Sequence, residues 1–342
     1  MSTKQISPND ARISIESFGG PEVLAVHKDL PIPQPGPGEV RIRIEASSVQ
    51  YTDTMIRRGK YPDLRDPAPI TPGYDLVGLV DAVGPDVEEA LIGKRVADLT
   101  TIGANARYAL RPAAGLVTVP QSVDAGEATA LVLSWMTAYQ AIRIAGVAKP
   151  GDRVLVIGGN GAVGQAAIGL AQALDIEIWV TSSERHRASL QAMGAKVVPR
   201  EGWLEQVQEA GGVDIVVDGV AADNFASAYA ALRAGGRVIA IGMSAIIARG
   251  GGLPGMGWSL LQLYARHFWP NRKSGSLYSI TKYRKAHPDH WQRDLSELFG
   301  LLERGEVHPA IADRITLDGV VEAHRRLERG GLSGKLILDA WA

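Results

Sequence analysis

Cysteine is absent from all 342 residues, which excludes disulfides, thiolate-bound zinc and a thiol nucleophile. Acid is absent from one long stretch: from Asn224 to Pro288 there is no Asp or Glu, against nine Lys and Arg. The remainder of the chain then holds 27 basic and 37 acidic residues, so a net charge of -1 hides a marked asymmetry. Two readings stand for the basic stretch. It forms a positive rim over a cleft that takes an anionic cofactor or substrate, or it is a solvated surface balanced by neighbours such as Glu201 and Glu205. With so little net charge, no nucleic-acid partner is expected. No apolar run reaches the length of a membrane span, and Met1-Ser2-Thr3-Lys4-Gln5 has no apolar segment behind a basic start. The expectation is a cytoplasmic protein with no membrane span.

What is present is a glycine-rich turn set between regular elements. Arg153-Val154-Leu155-Val156-Ile157 is an apolar, β-branched strand, and Gly158-Gly159-Asn160-Gly161-Ala162-Val163-Gly164 follows it directly. Gly159, Gly161 and Gly164 have the spacing of a dinucleotide turn, in which a tight bend and close backbone approach serve a pyrophosphate at a helix N-terminus. Three glycines alone are weak evidence in a chain with 39 of them, and a buried turn of another α/β sheet is the competing reading. The flanking strand and the Ala- and Leu-rich helix behind the turn favour the dinucleotide.

With 46% hydrophobic residues the length suits two cores. Residues from Arg12 to Val119 read as a turn-rich all-β domain, and Ala125 to Gly146 as a helix leading into a second one. Strands at Val154–Ile157, Ile176–Thr181, Lys196–Val198, Val213–Asp218 and Arg237–Gly242 alternate with helices, which implies a doubly wound parallel sheet with its ligand crevice at the strands' carboxyl ends. Those ends add Gly219, Gly242 and Met243 to the cofactor contacts. After Gly242 the expected elements are a glycine-rich run, one helix over Trp258 to Phe268, a loop over Asn271 to Ser276, helices at Asp294 to Glu303 and Gly319 to Glu328, and a last strand at Lys335 to Leu338. A lone terminal strand needs a host sheet. The first domain is the expected host, giving domains of 1–133 completed by 276–342, and 134–275.

Four stretches carry a family resemblance: Ser48 to Pro62, Pro72-Gly73-Tyr74-Asp75-Leu76-Val77-Gly78, the glycine turn, and Ala234-Gly235-Gly236-Arg237. The whole chain resembles the medium-chain dehydrogenase/reductases, in their zinc-independent, quinone oxidoreductase-like branch. The resemblance implies an α/β fold with a GroES-like β domain facing a Rossmann domain across an active-site cleft, and a homodimer. Zinc alcohol dehydrogenases of the superfamily carry Cys where this chain has Gln50 and Gly-His-Glu where it has Gly73-Tyr74-Asp75. No zinc is therefore expected, and His287 and His290, with Pro288 placing them in a loop, make no substitute site. The quinone reductase pattern has Asn at the Gln50 position and keeps Asp53. Tyr61 stands where related enoyl thioester reductases have a proton-donating tyrosine, or serves as an aromatic lid. Thr137 stands where relatives touch the nicotinamide amide, or is an ordinary helix threonine.

An acidic residue ending the second strand selects NAD. Here the end reads Thr181-Ser182-Ser183-Glu184-Arg185-His186-Arg187, which suits the 2′-phosphate of NADPH, with Glu184 assigned to the next helix and Arg200 placed to stack on adenine. The expected cofactor is NADPH, bound by Thr137, Gly159, Asn160, Gly161, Ala162, Val163, Gly164, Ser182, Ser183, Arg185, Arg187, Arg200, Gly219, Gly242 and Met243. The expected reaction is hydride transfer to a small-molecule substrate, a quinone or an α,β-unsaturated ketone, aldehyde or thioester, with Gln50, Asp53 and Tyr61 as catalytic groups. The alternatives are a zinc-free alcohol or ketone dehydrogenase and a noncatalytic NADPH-binding scaffold.

Overall fold

Alternation of period two organises the N-terminal residues. In the strand Glu39–Val49, Val40, Ile42, Ile44 and Ala46 are buried, while Arg41, Arg43 and Glu45 face the more open side. The computed structural model describes residues 9–61, 64, 66–266 and 272–342. The chain divides into two units, Met1–Leu133 with Pro288–Ala342, and Ser134–His287.

The first unit contains β1 (Asp10–Ile15), β2 (Leu24–Leu30), β3 (Glu39–Val49), β4 (Asp75–Val83), β5 (Arg95–Leu99), β6 (Tyr108–Pro112) and β7 (Val117–Thr118). β1 and β2 form an antiparallel pair, and β3 to β7 join one antiparallel sheet. A helix, Tyr51–Arg57, interrupts the stretch expected to be all-β. Seven residues are too few to show a helical period in sequence. Tertiary contacts hold the helix instead, since its buried Arg57 pairs with Glu328.

The second unit holds β8 (Arg153–Ile157), β9 (Glu177–Ser182), β10 (Lys196–Pro199), β11 (Val213–Asp218), β12 (Leu232–Ala240) and β13 (Ser274–Leu277). All are parallel, in the order β10-β9-β8-β11-β12-β13. That is the Rossmann order, whose direction reverses between β8 and β11. β13 corrects the end of the loop expected at Asn271 to Ser276, of which Asn271 lies outside the described residues. Ser-Gly-Ser-Leu has no apolar alternation, and Gly275 lets the backbone pass where a Cβ would lie 2.1 Å from the Tyr229 hydroxyl.

The helix expected to begin at Trp258 starts inside the glycine-rich run and spans Gly252–Ala265; Phe268, its expected end, lies outside the described residues. Pro288 opens the helix Pro288–Glu303 and does not sit in a loop. A proline is tolerated there because the first-turn N–H has no intrahelical acceptor. The chain changes unit at 287/288, beyond the expected 275/276, because β13 and the helix Ile280–Ala286 stay with the parallel sheet. Back in the first unit, β14 (Ile311–Ile315) and β15 (Lys335–Leu338) complete the large sheet, with β15 lying between β14 and β3. The terminal strand thus has its host.

Candidate active site

Gln50 follows β3 and caps the helix Tyr51–Arg57, and around it the buried side chains of Ser48, Asp53, Asp75 and Lys335 gather. The Gln50 backbone N–H donates to Asp53 Oδ2 at 2.8 Å, and the Gly73 N–H donates to Asp53 Oδ1 at 3.1 Å. Gln50 Nε2 donates to Asp75 Oδ2 at 3.0 Å, and Lys335 Nζ donates to Gln50 Oε1. The other oxygen of Asp75 accepts from the Ser48 N–H and hydroxyl at 3.1 and 2.5 Å. The link runs from residue 50 to the first residue of the last strand.

Charge inside this cluster is strongly perturbed. Burial, with smaller help from Asp75, pushes the Asp53 carboxyl up to about 7 against the lowering pull of its two amide donors and Lys335. Burial also lowers the Lys335 ammonium, with the two carboxylates acting the other way. Asp53 therefore meets the condition for holding a proton near neutrality. Both its oxygens already accept from the backbone, however, and the residue is fully buried, so its geometry is that of a cap. Gln50 has one remaining amide hydrogen to offer, because its oxygen and the other hydrogen are engaged.

The loop before β4 ties the tyrosines to this cluster. Gly73 has φ +106°, and a Cβ there would lie 2.4 Å from the Asn105 backbone nitrogen, so the position requires glycine. Next to it Tyr74 is 1% exposed, and its hydroxyl lies 2.6 Å from that of Tyr61. The rings meet edge to face at 5.9 Å. Gln50, Asp53 and Tyr61 are thus joined through Gly73, Tyr74 and Asp75. The roles of Tyr74, Asp75 and Lys335 were missed in sequence. A lysine opening a four-residue strand that is buried throughout was the available signal for the last of them.

In the second unit Gly161 caps the helix Ala162–Leu170, which carries Ala162, Val163 and Gly164 in its first turn. Asn160 lies in the turn, where its carbonyl accepts from Gln165. Gly158 donates to Thr181 Oγ1 at 2.9 Å and Gly159 to the Thr181 carbonyl at 2.9 Å, binding the turn to the end of β9. Beyond that tie Ser182 and Ser183 hold buried hydroxyl oxygens with no hydrogen-bond partner among the described residues. Two orphaned hydroxyls at a strand's carboxyl end fit a ligand's acceptor oxygens.

Around them Arg185 Nε donates to His186 Nε2 at 2.8 Å. Burial first, then the Arg185 and Arg200 charges, lowers the His186 imidazole. Arg187 differs from its expected role. It pairs with Glu184 at 2.8 Å and donates to the Val197 carbonyl, so it anchors the loop and neutralises that acid. Thr137 is buried within the helix Met136–Tyr139. Gly219 and Gly242 abut at the ends of β11 and β12, and Met243 is buried beside them. Of the basic stretch, Arg233 pairs with Asp214, while Arg249, Arg266 and Lys273 donate to backbone carbonyls. Among the described residues no group of three or more His, Asp or Glu is placed to hold a metal ion.

Comparison with known proteins finds family matches in both units. Residues 36–121 match the family described as alcohol dehydrogenase GroES-like domain, and residues 193–338 match the family described as zinc-binding dehydrogenase. The quinone oxidoreductase of Lama guanicoe is 30% identical over 336 residues, covering 95% of this chain and 96% of its own. The human quinone oxidoreductase is 29% identical over 343 residues, with the same coverage. A solved mycobacterial quinone oxidoreductase superposes with TM-score 0.80 at 29% identity, over 96% of this chain and 99% of that one.

Proposed function

Because the chain belongs to the medium-chain dehydrogenase/reductase superfamily, in its quinone oxidoreductase-like branch, we propose that it is an NADPH-dependent, zinc-independent reductase of electron-poor double bonds. The substrate class is a quinone or an α,β-unsaturated carbonyl compound. One observation carries the reading: the residues at the zinc-ligand positions, Gln50 and Tyr74, are committed to hydrogen bonds with Asp75, Lys335 and Tyr61. Such a cluster offers N–H and O–H donors, which serve an oxygen gaining negative charge.

Gly158 to Gly164 would hold the pyrophosphate of a bound dinucleotide. Ser182 and Ser183, with Arg185 and Arg200, would hold the 2′-phosphate. The bound nicotinamide supplies a hydride to the substrate's electrophilic carbon. The remaining Gln50 N–H and the Tyr61 hydroxyl then meet the charge that develops on the substrate oxygen. A quinol takes its protons from water, whereas an enolate needs a placed acid at carbon, and Tyr61 is the candidate. By the same family resemblance the chain works as a homodimer, which sedimentation equilibrium tests.

The test of function is NADPH oxidation by chelator-dialysed protein against a panel of quinones and enones, with NADH in parallel. We expect turnover of at least one class, insensitivity to chelation and preference for NADPH. Tight NADPH binding with no turnover of any acceptor would leave a binding protein. One zinc per chain, with activity lost on its removal, would overturn the metal-free reading.

A further inference from the structure

We infer that Tyr74 is a positioning residue for Tyr61, making its phenol a better proton donor to an enolate than a lone tyrosine would be. The inference rests on the enone branch of the function proposed above. The two hydroxyl oxygens are 2.6 Å apart, and either can donate while both are protonated. Once Tyr61 has given up its proton, Tyr74 is the member of the pair that still has one to offer. The bond then becomes O–H to phenolate, a class that is shorter and about twice as strong as its neutral counterpart. Tyr74 is 1% exposed, so water competes little for that bond.

Tyr74 cannot swing away readily. Its carbonyl accepts from the Thr100 and Thr101 N–H groups at 2.9 and 3.3 Å. The residue before it is held by Asp53 and the residue after it by Ser48 and Gln50. The buried carboxylates of Asp53 and Asp75 thus fix the chain on both sides of this phenol.

In the step itself, the substrate has already accepted a hydride from NADPH at its β-carbon, which supplies both electrons and leaves an enolate. The Tyr61 O–H bond breaks, a C–H bond forms at the α-carbon, and Tyr61 is left as phenolate with the Tyr74 hydroxyl donating to it. Solvent returns the proton to Tyr61. Tyr74 keeps its own proton throughout.

The experiment is an ultraviolet tyrosinate titration, in which subtracting Tyr61→Phe isolates the Tyr61 ionisation. It is run in wild type and in a Tyr74→Phe background, alongside pH profiles of enone reduction. A hydrogen bond to a charged oxygen implies that the Tyr61 midpoint rises by about one to two units from wild type to Tyr74→Phe. The alkaline limb of enone turnover should move with it, and the rate should fall about tenfold or more. An unmoved midpoint and an unmoved limb would overturn the pairing. Should Tyr74→Phe not fold, Tyr74→Met, which also lacks the hydroxyl, takes its place and is read by the same two outcomes. If instead the midpoint shifts but Tyr61→Phe reduces enones at the wild-type rate, the pairing stands and the enone reading fails.

Discussion

Two polar regions of this chain are built on opposite principles. Around Gln50 the acceptors and donors close on one another: Asp53 with two backbone amides, Asp75 with Ser48 and Gln50, Lys335 with Gln50. At the end of β9 they do not, since the Ser182 and Ser183 hydroxyls stand buried beside a basic loop with no hydrogen-bond partner among the described residues. A closed network keeps its geometry without a ligand and registers damage as lost stability. An open one carries an unmet hydrogen-bonding cost that a ligand removes, so damage there registers in affinity.

The largest expected effect breaks the comparison from the closed side, by pH. Asp53 keeps its proton up to about 7 in the fold, against 3.8 when unfolded. Between those values the folded chain binds the extra proton, so the Asp53 contribution to stability falls as pH rises, by about 1.4 kcal/mol per pH unit at most. Elsewhere in the same unit His324, fully buried, is lowered to about 3 from 6.5, first by burial and then by the Arg57 charge. There the unfolded chain binds the extra proton, and stability falls as pH falls. The two slopes oppose one another from roughly pH 4 to 6.5 and largely cancel in the intact protein. Each variant should uncover its partner's slope. Urea unfolding across this window, taken as variant minus wild type, should rise with pH for Asp53→Asn and fall with pH for His324→Gln. Flat difference curves for both variants would show that neither group titrates as its burial implies.

The second test sharpens the open side. Ser182→Asp places a carboxylate among groups assigned to a 2′-phosphate, and like charges at such range cost about 1–3 kcal/mol in a partly screened site. NADPH affinity should fall roughly ten- to a hundredfold while NADH affinity holds or improves, and the melting temperature should fall as well, because Ser182 is 2% exposed and the new carboxylate is buried. Fluorescence titration with both cofactors reads this. Equal weakening of the two would remove the ribose pocket from the end of β9. Thr181 is the poorer target, although its sequence position is as good, because its side chain already holds the Gly158 amide.

That contrast shows what the sequence made legible. The parallel strands β8 to β12 follow from alternating apolar strands and helices, while β13 escaped, because Ser-Gly-Ser-Leu carries no period and exists through pairing with β12. The residue types at the ends of strands and in the glycine turn could be read directly. Partnerships across long separations could not. Lys335 meets Gln50 only because β15 pairs with β3, and Tyr74 meets Tyr61 only because Gly73 turns the chain against Asn105. Arg187 matched a phosphate ligand by type, yet a neighbouring acid and a carbonyl of β10 had claimed it.

The smallest expected change in stability separates the glycines of the turn by what each one faces. A Cβ on Gly164 would sit 2.6 Å from the Gly158 carbonyl oxygen and 2.6 Å from Gly159 Cα, so that glycine is needed to pack helix on turn whether or not a ligand binds. A Cβ on Gly159 would sit 2.5 Å from the Val180 side chain, which makes it structural as well. Gly161 differs: its nearest contact would be the Gly158 oxygen at 3.3 Å, and its φ of -75° is open to any residue. Nothing in the protein itself strongly requires glycine there. Gly161→Ala should therefore lower stability only by about the few tenths to 1 kcal/mol that alanine costs at a helix N-cap. If the pyrophosphate approaches the backbone at this residue, the added methyl takes its space, and affinity for NADPH and NADH should fall together, about tenfold or more. Gly164→Ala is the control, expected to lower the melting temperature as well as the affinity. Unchanged binding of both cofactors to a folded Gly161→Ala protein would mean that the turn serves the packing of its own helix and holds no dinucleotide.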